Sequence, residues 1–326
     1  MTRPRGPAEP LVGAHMSAAG GLARAVERAV GVGCRALQVF TKNSNQWAAK
    51  ALDRGDSAAF RAAAAAAGIA PLVSHAAYLI NLASPDAAVR RHSAAALVDE
   101  IRRCDAAGIP YLVLHPGSHG GDGEDAGLDR IARGLDEAAA GTPGSATTIL
   151  LETAAGQGAC LGHTFAQLAE MRRRAASKDR IAFCLDTCHV HAAGYDVVTP
   201  DGWRRTLEEA DRTIGLGAVR VVHANDSKKG RGCRVDRHER IGLGAIGEGG
   251  FANLMTEPAF EDVPKILETP KDESGDWDRA GLAALRRLAG AAPALSGRRK
   301  RVSGTSSRRS RPRGPGRPRT ARRTSP

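Results

Sequence analysis

Short apolar runs alternate with longer amphipathic segments along the first 288 residues of the chain. The runs are rich in Val, Ile and Leu and are bounded by Gly, Pro or charged residues, a pattern typical of buried strands. We predict strands over residues 12–15, 36–41, 71–75, 111–115, 148–152, 181–186, 219–223 and 265–268.

The segments between these runs have the apolar periodicity of helices that pack one face against a core. We predict helices over residues 17–30, 56–67, 85–107, 128–140, 165–176, 200–214, 251–256 and 277–288. Eight strands alternating with eight helices predict an α/β protein of the (β/α)8 TIM-barrel class. A doubly wound sheet would show the same alternation, so periodicity alone leaves both open.

Seven of the eight runs end in a side chain that can bind a metal ion. These residues are His15, His75, His115, Glu152, Asp186, His223 and Glu268. In a closed barrel all strand carboxyl ends meet at one mouth, where the active sites of this fold lie. The set therefore favours the barrel and predicts a metal site at its mouth.

Three further metal-competent residues lie outside the strand ends: His189, Asp236 and His238. His189 follows Asp186 by three positions in IAFCLDTCHVHAAGYD (181–196), where a buried strand emerges into a loop. Asp236 and His238 are two positions apart in RVDRHE (234–239), so in an extended loop they share a side. Zinc favours this combination of imidazole nitrogen and carboxylate oxygen.

A chain of 326 residues can bury a large core as one barrel-sized domain or as two smaller ones. The six cysteines form no C-x-x-C pair, so we expect free thiols. No apolar stretch approaches the roughly 18 residues of a membrane span, and the N-terminus lacks the apolar core of a secretory signal. We expect a cytoplasmic protein without membrane contact.

The formal charge of +12 is confined to the C-terminus. Residues 297–326 hold eleven Arg and one Lys with no acid, and the rest of the chain holds 35 bases and 35 acids. We therefore expect a flexible N-terminus at 1–10, a barrel domain at 11–290 and a disordered basic tail at 297–326. The tail either contacts DNA non-specifically through phosphates or is a solubilising appendage.

Eight stretches carry a family resemblance: VGAHMSAAGGL, HAAYLINLA, LHPGSH, LETAAGQG, LDTCHVHAAGYD, HANDSK, RVDRHERIGLGAIG and ILETP. Over about residues 11–288 the chain resembles the endonuclease IV family of apurinic/apyrimidinic (AP) endonucleases, which are trinuclear zinc enzymes of the TIM-barrel class. The resemblance implies three Zn2+ ions per chain. All nine positions at which the family carries zinc ligands hold a competent residue.

The resemblance implies three ligand groups, two of which share one glutamate. They are His75, His115 and Glu152; Glu152, Asp186, His223 and Glu268; and His189, Asp236 and His238. Glu152 bridges the first two ions and is expected to be the least replaceable residue. His15 is not a family ligand, and either support of the site or core packing would explain it.

The activity implied is hydrolysis of the phosphodiester 5′ to abasic sites in double-stranded DNA, with trimming of blocked 3′ ends. The products would be a 3′-hydroxyl and a 5′-deoxyribose phosphate, and the protein would act as a monomer. Tyr78 and Leu79 match a DNA-inserting loop. Lys42 and Gln46 match another, in which Asn45 stands where better-known members carry an Arg.

Two other functions remain open from the residues. A TIM-barrel sugar isomerase or epimerase would hold one or two divalent ions and a base for proton transfer. A non-catalytic DNA-binding protein would bind through its tail and keep an inert barrel. The number of metal ions per chain distinguishes an isomerase or epimerase from an AP endonuclease. Chelator-sensitive incision of abasic DNA distinguishes an AP endonuclease from a non-catalytic DNA-binding protein.

Overall fold

The structure is a computed structural model that describes residues 9–290. Eight parallel strands close into a barrel in the order β1-β10-β7-β6-β5-β4-β3-β2. They are β1 (Val12–His15), β2 (Ala36–Val39), β3 (Leu72–His75), β4 (Tyr111–Leu114), β5 (Thr148–Glu152), β6 (Ile181–Asp186), β7 (Val219–His223) and β10 (Lys265–Leu267). The TIM barrel is confirmed, and each predicted strand agrees within two residues at either end.

A small antiparallel sheet lies outside the barrel order. It pairs β8 (Asp226–Ser227) with β9 (His238–Glu239), both in the segment between β7 and β10. The sequence analysis predicted an extended loop here and missed this pairing, because strands of two residues are too short to show a period.

The helices surround the barrel. They are α1 (Leu22–Val32), α2 (Arg54–Ala67), α3 (Ala87–Ala107), α4 (Glu124–Ala140), α5 (Phe165–Arg174), α6 (Thr187–Ala193), α7 (Pro200–Thr213), α8 (Gly247–Met255) and α9 (Asp276–Ala289). Eight of these correspond to predicted helices, and α6 was not predicted. The first helix begins five residues later than predicted, because Gly20 and Gly21 adopt positive φ angles of 85° and 111°.

The barrel interior is filled by a compact apolar cluster. Its members are Ala36, Val73, Val113, Leu150, Ala182, Cys184, Val221 and Ile266. A larger apolar cluster lies between the strands and the helices. Because the interior is packed, polar side chains gather at the carboxyl ends of the strands.

No helix within residues 9–290 is long and apolar enough to cross a membrane. The basic tail predicted for 297–326 and most of the flexible N-terminus predicted for 1–10 lie outside the described residues. Both remain predictions from composition.

Candidate metal centre

The parallel strands bring distant side chains to one mouth. His75, Glu152, Asp186 and His223 are the last residues of their strands. His115 follows β4 directly, and Glu268 follows β10 directly. Six of the eight strand ends therefore bring one of these side chains to the same mouth, as the sequence pattern predicted.

Glu152 lies at the centre of the mouth and is fully buried. Its Oε2 lies 3.3 Å from His75 Nε2 and 3.4 Å from His115 Nε2. Its Oε1 lies 2.7 Å from His223 Nδ1. The two carboxylate oxygens thus face different histidines, which is the arrangement that a bridging ligand requires.

A second group surrounds the other Glu152 oxygen. The potential ligand atoms of Glu152, Asp186, His223 and Glu268 all lie within 4.8 Å of one another. His223 Nδ1 is 3.1 Å from Glu268 Oε2 and 3.9 Å from Asp186 Oδ2. Three carboxylates close to one imidazole form a site with strong preference for a cation.

The third group combines α6 with the segment that carries β9. Asp186 caps α6 by accepting a hydrogen bond from the His189 amide at 2.8 Å, which places the His189 ring at the mouth. His189 Nε2 and His238 Nε2 each lie 3.2 Å from an oxygen of Asp236. Asp236 is 43% exposed, whereas Glu152 and Asp186 are fully buried, so this group lies at the solvent edge.

Hydrogen bonds to oxygen acceptors orient four of the five histidines. His75 Nδ1 donates to Ala76 O, His189 Nδ1 to Thr153 O and His238 Nδ1 to Glu268 O, at 2.8, 2.8 and 3.2 Å. A carbonyl oxygen only accepts hydrogen bonds, so Nδ1 of each of these rings carries a proton. The other nitrogen, Nε2, is then the one that has a lone pair toward the carboxylates. Metal-binding histidines are held in this way.

Gln38 orients the fourth histidine, and the sequence analysis missed it. Its Nε2 donates to Glu268 Oε1 at 2.6 Å, so its Oε1 accepts from His223 Nε2 at 2.8 Å. His223 Nδ1 therefore faces the carboxylates. A glutamine inside the apolar run ALQVF was the available signal, because a polar residue buried in a strand requires partners.

Asn225 is a second supporting residue that sequence reasoning missed. Its Nδ2 donates to Asp186 Oδ2 at 2.7 Å, and its Oδ1 accepts from the Glu268 amide at 2.8 Å. It thereby fixes the segments that carry Asp186 and Glu268 relative to each other. Its position two residues after the end of the buried strand β7 was the only signal in the sequence.

His15 contacts the same centre from β1. Its Nδ1 lies 3.4 Å from Glu268 Oε1 and 3.0 Å from Gln38 Nε2, and its ring packs on Phe40. Burial, partly offset by Glu268, lowers the pKa of His15. Of the two expectations for this residue, the geometry favours support of the site.

The carboxylates and histidines perturb each other's ionisation strongly. Burial opposes the charged form of Glu152, but His115 and His223 outweigh it and hold the pKa of its carboxyl well below the usual value. Burial likewise opposes a charged His189, while Asp186 and Asp236 raise its pKa to about 10. The cluster therefore attracts positive charge, which protons supply when no other cation is bound.

Two cysteine thiols adjoin these groups. Cys184 Sγ lies near Glu152 and His223, and Cys188 Sγ lies near Asp186 and His238. Burial raises the pKa of Cys184 to about 12 and that of Cys188 further. Both thiols are therefore neutral at physiological pH in the metal-free protein. All six cysteines are free, as the sequence predicted.

Tyr78 and Leu79 follow β3 and reach the rim of the mouth. Tyr78 is 57% exposed, and its ring lies 5.4 Å from the His75 ring and 6.0 Å from the His115 ring. Leu79 is half-buried beside it. An exposed aromatic ring beside the centre is available to contact a ligand.

Asn45 and Gln46 lie in the exposed loop after β2. The Asn45 amide donates to Asn43 Oδ1 at 2.9 Å, and the Gln46 amide donates to Asn43 O at 3.2 Å, so both belong to a turn built on Asn43. Within residues 9–290 neither side chain forms a hydrogen bond. Both side chains are thus free to meet a partner.

Lys42 differs from its neighbours in this loop because its side chain is buried. Its Nζ lies 2.9 Å from Asp99 Oδ2 and 3.5 Å from Glu100 Oε1 on α3. Arg103 extends the same network to the carbonyls of Ala49 and Lys50. The resemblance placed Lys42 in a DNA-contacting loop, whereas here it anchors that loop to α3.

Comparison with known proteins agrees with this geometry. Residues 26–288 match the model of a family described as xylose isomerase-like TIM barrel. A probable endonuclease 4 from Geobacter sulfurreducens is 50% identical over 277 residues, which cover 85% of this chain and 94% of the relative.

Two solved structures define how far the likeness extends. Endonuclease IV from Thermus thermophilus superposes with a TM-score of 0.76 at 37% identity, covering 86% of this chain and 98% of that one. A D-tagatose 3-epimerase-like protein has a TM-score of 0.65 at 18% identity, covering 85% and 98% respectively, and so shares the fold alone. The chain belongs to the endonuclease IV family.

Proposed function

We propose that this DNA-repair nuclease hydrolyses the phosphodiester 5′ to abasic sites in duplex DNA with three zinc ions. The products would be a 3′-hydroxyl and a 5′-deoxyribose phosphate, and the same centre would trim blocked 3′ ends. The observation that carries the proposal is the set of three ligand groups at one barrel mouth, two of which share Glu152.

The donor set fits divalent zinc. Five imidazoles and four carboxylates are the nitrogen and oxygen ligands that zinc accepts, and four of the imidazoles already have a fixed lone pair. His238 Nε2 is buried without a hydrogen bond of good geometry, which supports a missing partner at this atom. The four carboxylates leave the three ions with a formal charge of +2, which suits an anionic phosphodiester.

Zinc ions at these positions would act as Lewis acids on phosphate oxygens and lower the pKa of attacking water. Glu152 would hold two of them at a fixed separation through its two oxygens. Gln38 and Asn225 would keep Glu268, His223 and Asp186 in place, so little reorganisation is needed during reaction. No side-chain nucleophile is required.

A groove lies beside the centre. It has a volume of about 1150 Å3, opens beside Glu268 between the loops after β1, β2 and β10, and is lined in part by Tyr78. Its lining carries both signs of charge, and Lys271 and Arg279 are paired with Asp278 and Asp276. We propose that Tyr78, Leu79, Asn45 and Gln46 contact DNA at this rim, where insertion into the base stack would hold an abasic nucleotide out of the helix.

Incision of a duplex with one synthetic abasic site tests the proposal. We expect one cut on the 5′ side, a 3′ end that a polymerase extends, and complete loss of activity with chelator. A 3′ unsaturated aldehyde would instead reveal lyase chemistry and contradict hydrolysis. Metal analysis should give three zinc per chain, and one or two would favour isomerase chemistry.

A further inference from the structure

We propose that Asp226 is a positioning residue for the third ion of the proposed function, because its carboxylate folds the segment that carries Asp236 and His238. Asp226 is fully buried on β8 and is not one of the nine ligand residues. The presence of the third ion rests on the proposed function, whereas the role of Asp226 in folding the loop rests on the backbone hydrogen bonds described below.

Five backbone amides point at this one carboxylate. Asp226 accepts hydrogen bonds from Ser227, Gly242, Gly244 and Ile246 at 2.8 to 3.0 Å, and from Gly247 at 3.2 Å. No basic side chain within residues 9–290 forms an ion pair with it. Its negative charge is therefore balanced by amide dipoles, which is the geometry of an anion nest.

The glycines of the segment 242–250 allow the backbone to form this nest. Gly242 and Gly247 adopt φ angles of +80° and +66°. A Cβ atom at Gly244 would lie 2.4 Å from Ser227 O and 2.5 Å from Asp226 Oδ1. The glycines therefore serve the geometry of the loop, and the group that their amides bind is a carboxylate of the chain itself.

The nest closes the base of the segment that carries two proposed ligands. β8 pairs with β9 so that Ser227 lies opposite His238. Ala245 N donates to Ser227 O at 2.7 Å, and Lys228 N donates to Arg237 O at 2.9 Å. His238 and its neighbour Asp236 are thus positioned through β8 and the nest, whereas the ligands of the other two groups are positioned by barrel strands.

This difference predicts a selective effect of Asp226→Asn. Asn would keep one acceptor oxygen but turn its NH2 group toward the backbone N–H groups that the other carboxylate oxygen binds, so the segment 240–247 would open while the barrel stayed intact. In metal-free protein, hydrogen exchange at residues 242–247 should accelerate at least about tenfold, with exchange in the barrel strands unchanged. Zinc titration should fill two sites per chain instead of three.

Asp136→Asn is the matched control. Asp136 also accepts from backbone amides, those of Ala176 and Ser177 at 3.0 and 2.8 Å, but it joins α4 to the segment after α5, away from the mouth. This variant should keep three zinc sites and normal exchange at 242–247. Gly244→Ala places a methyl group against the same carboxylate and should have the same effects on hydrogen exchange and zinc binding as Asp226→Asn. It provides a second test of the inference if Asp226→Asn does not fold.

Three zinc per Asp226→Asn chain with unchanged exchange at 242–247 would overturn the inference. Loss of zinc from all sites in parallel with barrel exchange would also overturn it, since Asp226 would then support the fold in general. A wild-type protein that binds fewer than three zinc would contradict the proposed function instead, and exchange in metal-free protein would still decide the role of Asp226.

Discussion

Glu152 concentrates more of the centre's interactions than any other side chain described above. Its two oxygens face His75 and His115 on one side and His223 on the other. The residue is fully buried and negatively charged, so its charge and not only its shape holds the cluster together.

Replacing Glu152 with Gln should keep the shape and remove the charge. We expect kcat on abasic duplex to fall on the order of 10³-fold, because a neutral amide is a poor bridge between two cations. Steady-state kinetics together with zinc content measure the effect. Glu209→Gln is the control, since Glu209 accepts from the Tyr195 hydroxyl outside the centre. Near-normal turnover with full metal content would reject the assigned role.

Lys265 is a buried cation whose ionisation depends on folding. Burial, partly offset by Asp262 and Glu261, lowers its pKa from 10.5 to about 8. Between these two pH values the unfolded chain keeps the proton and the folded chain loses it. The contribution of Lys265 to the free energy of unfolding therefore rises with pH across this window, by about 3 kcal/mol.

Lys265→Met should remove this dependence. We expect the variant to be more stable than wild type below pH 8, with an advantage that shrinks as the pH approaches 10.5. Urea unfolding at several pH values gives the difference in the free energy of unfolding between the two proteins. Both proteins contain the same cysteine thiols, so the effect of thiol titration cancels in this difference. A constant difference between the two proteins would mean that the Lys265 pKa is the same in folded and unfolded chains.

At the scale of elements, the loop after β2 combines a rigid base with a free tip. Lys42 ties the base to Asp99 of α3, and Thr41 donates to Glu100 at 3.0 Å. Arg103 of α3 donates to the carbonyls of Ala49 and Lys50 in the same loop. Glu100 also accepts from the Ala77 amide at 3.3 Å, so one glutamate joins the loops that carry Asn45 and Tyr78. Both proposed DNA-contacting loops thus share one anchor on α3.

Asn45→Arg should strengthen DNA binding, because an arginine at this exposed turn would reach the duplex from a rigid base. We expect a lower KM for abasic duplex and a similar kcat, since the proposed metal ligands are untouched. Ala140→Arg adds the same charge to an exposed position at the C-terminal end of α4 and should leave KM unchanged. An unchanged KM in Asn45→Arg would mean that Tyr78 or Leu79 suffices for insertion.

At the scale of the whole molecule, the excess positive charge lies in a different part of the chain from the barrel. All the excess positive charge lies in residues 297–326, and the remainder of the chain is formally neutral. Non-specific DNA affinity depends on the number of phosphates neutralised, so the tail is the segment expected to supply it.

Deleting residues 297–326 should flatten the salt dependence of binding to undamaged duplex. If half of the twelve charges contact phosphates, the slope of log K against log salt should fall by about 5. The kcat on an abasic oligonucleotide at saturating substrate should not change, because the centre lies within residues 9–290. Fluorescence anisotropy over a salt series measures the slope, and identical slopes would assign the tail another partner.

The sequence by itself determined the barrel strands and the metal-competent side chains at their ends. Apolar periodicity predicted all eight barrel strands, because burial of each strand between interior and helices requires a local run of apolar residues. The same runs ended in His75, Glu152 and His223, and closure of a parallel barrel needs no further information to bring those ends together.

The tertiary structure decided which polar residues support the centre. Gln38 contacts His223 from 185 positions away, and Asp226 binds amides up to 21 positions away. The burial of Lys42 likewise depends on acids of α3 more than 50 positions later. Hydrogen bonds and ion pairs of this kind leave no period in the chain, because they depend on the meeting of segments in space and not on any local repeat of residue types.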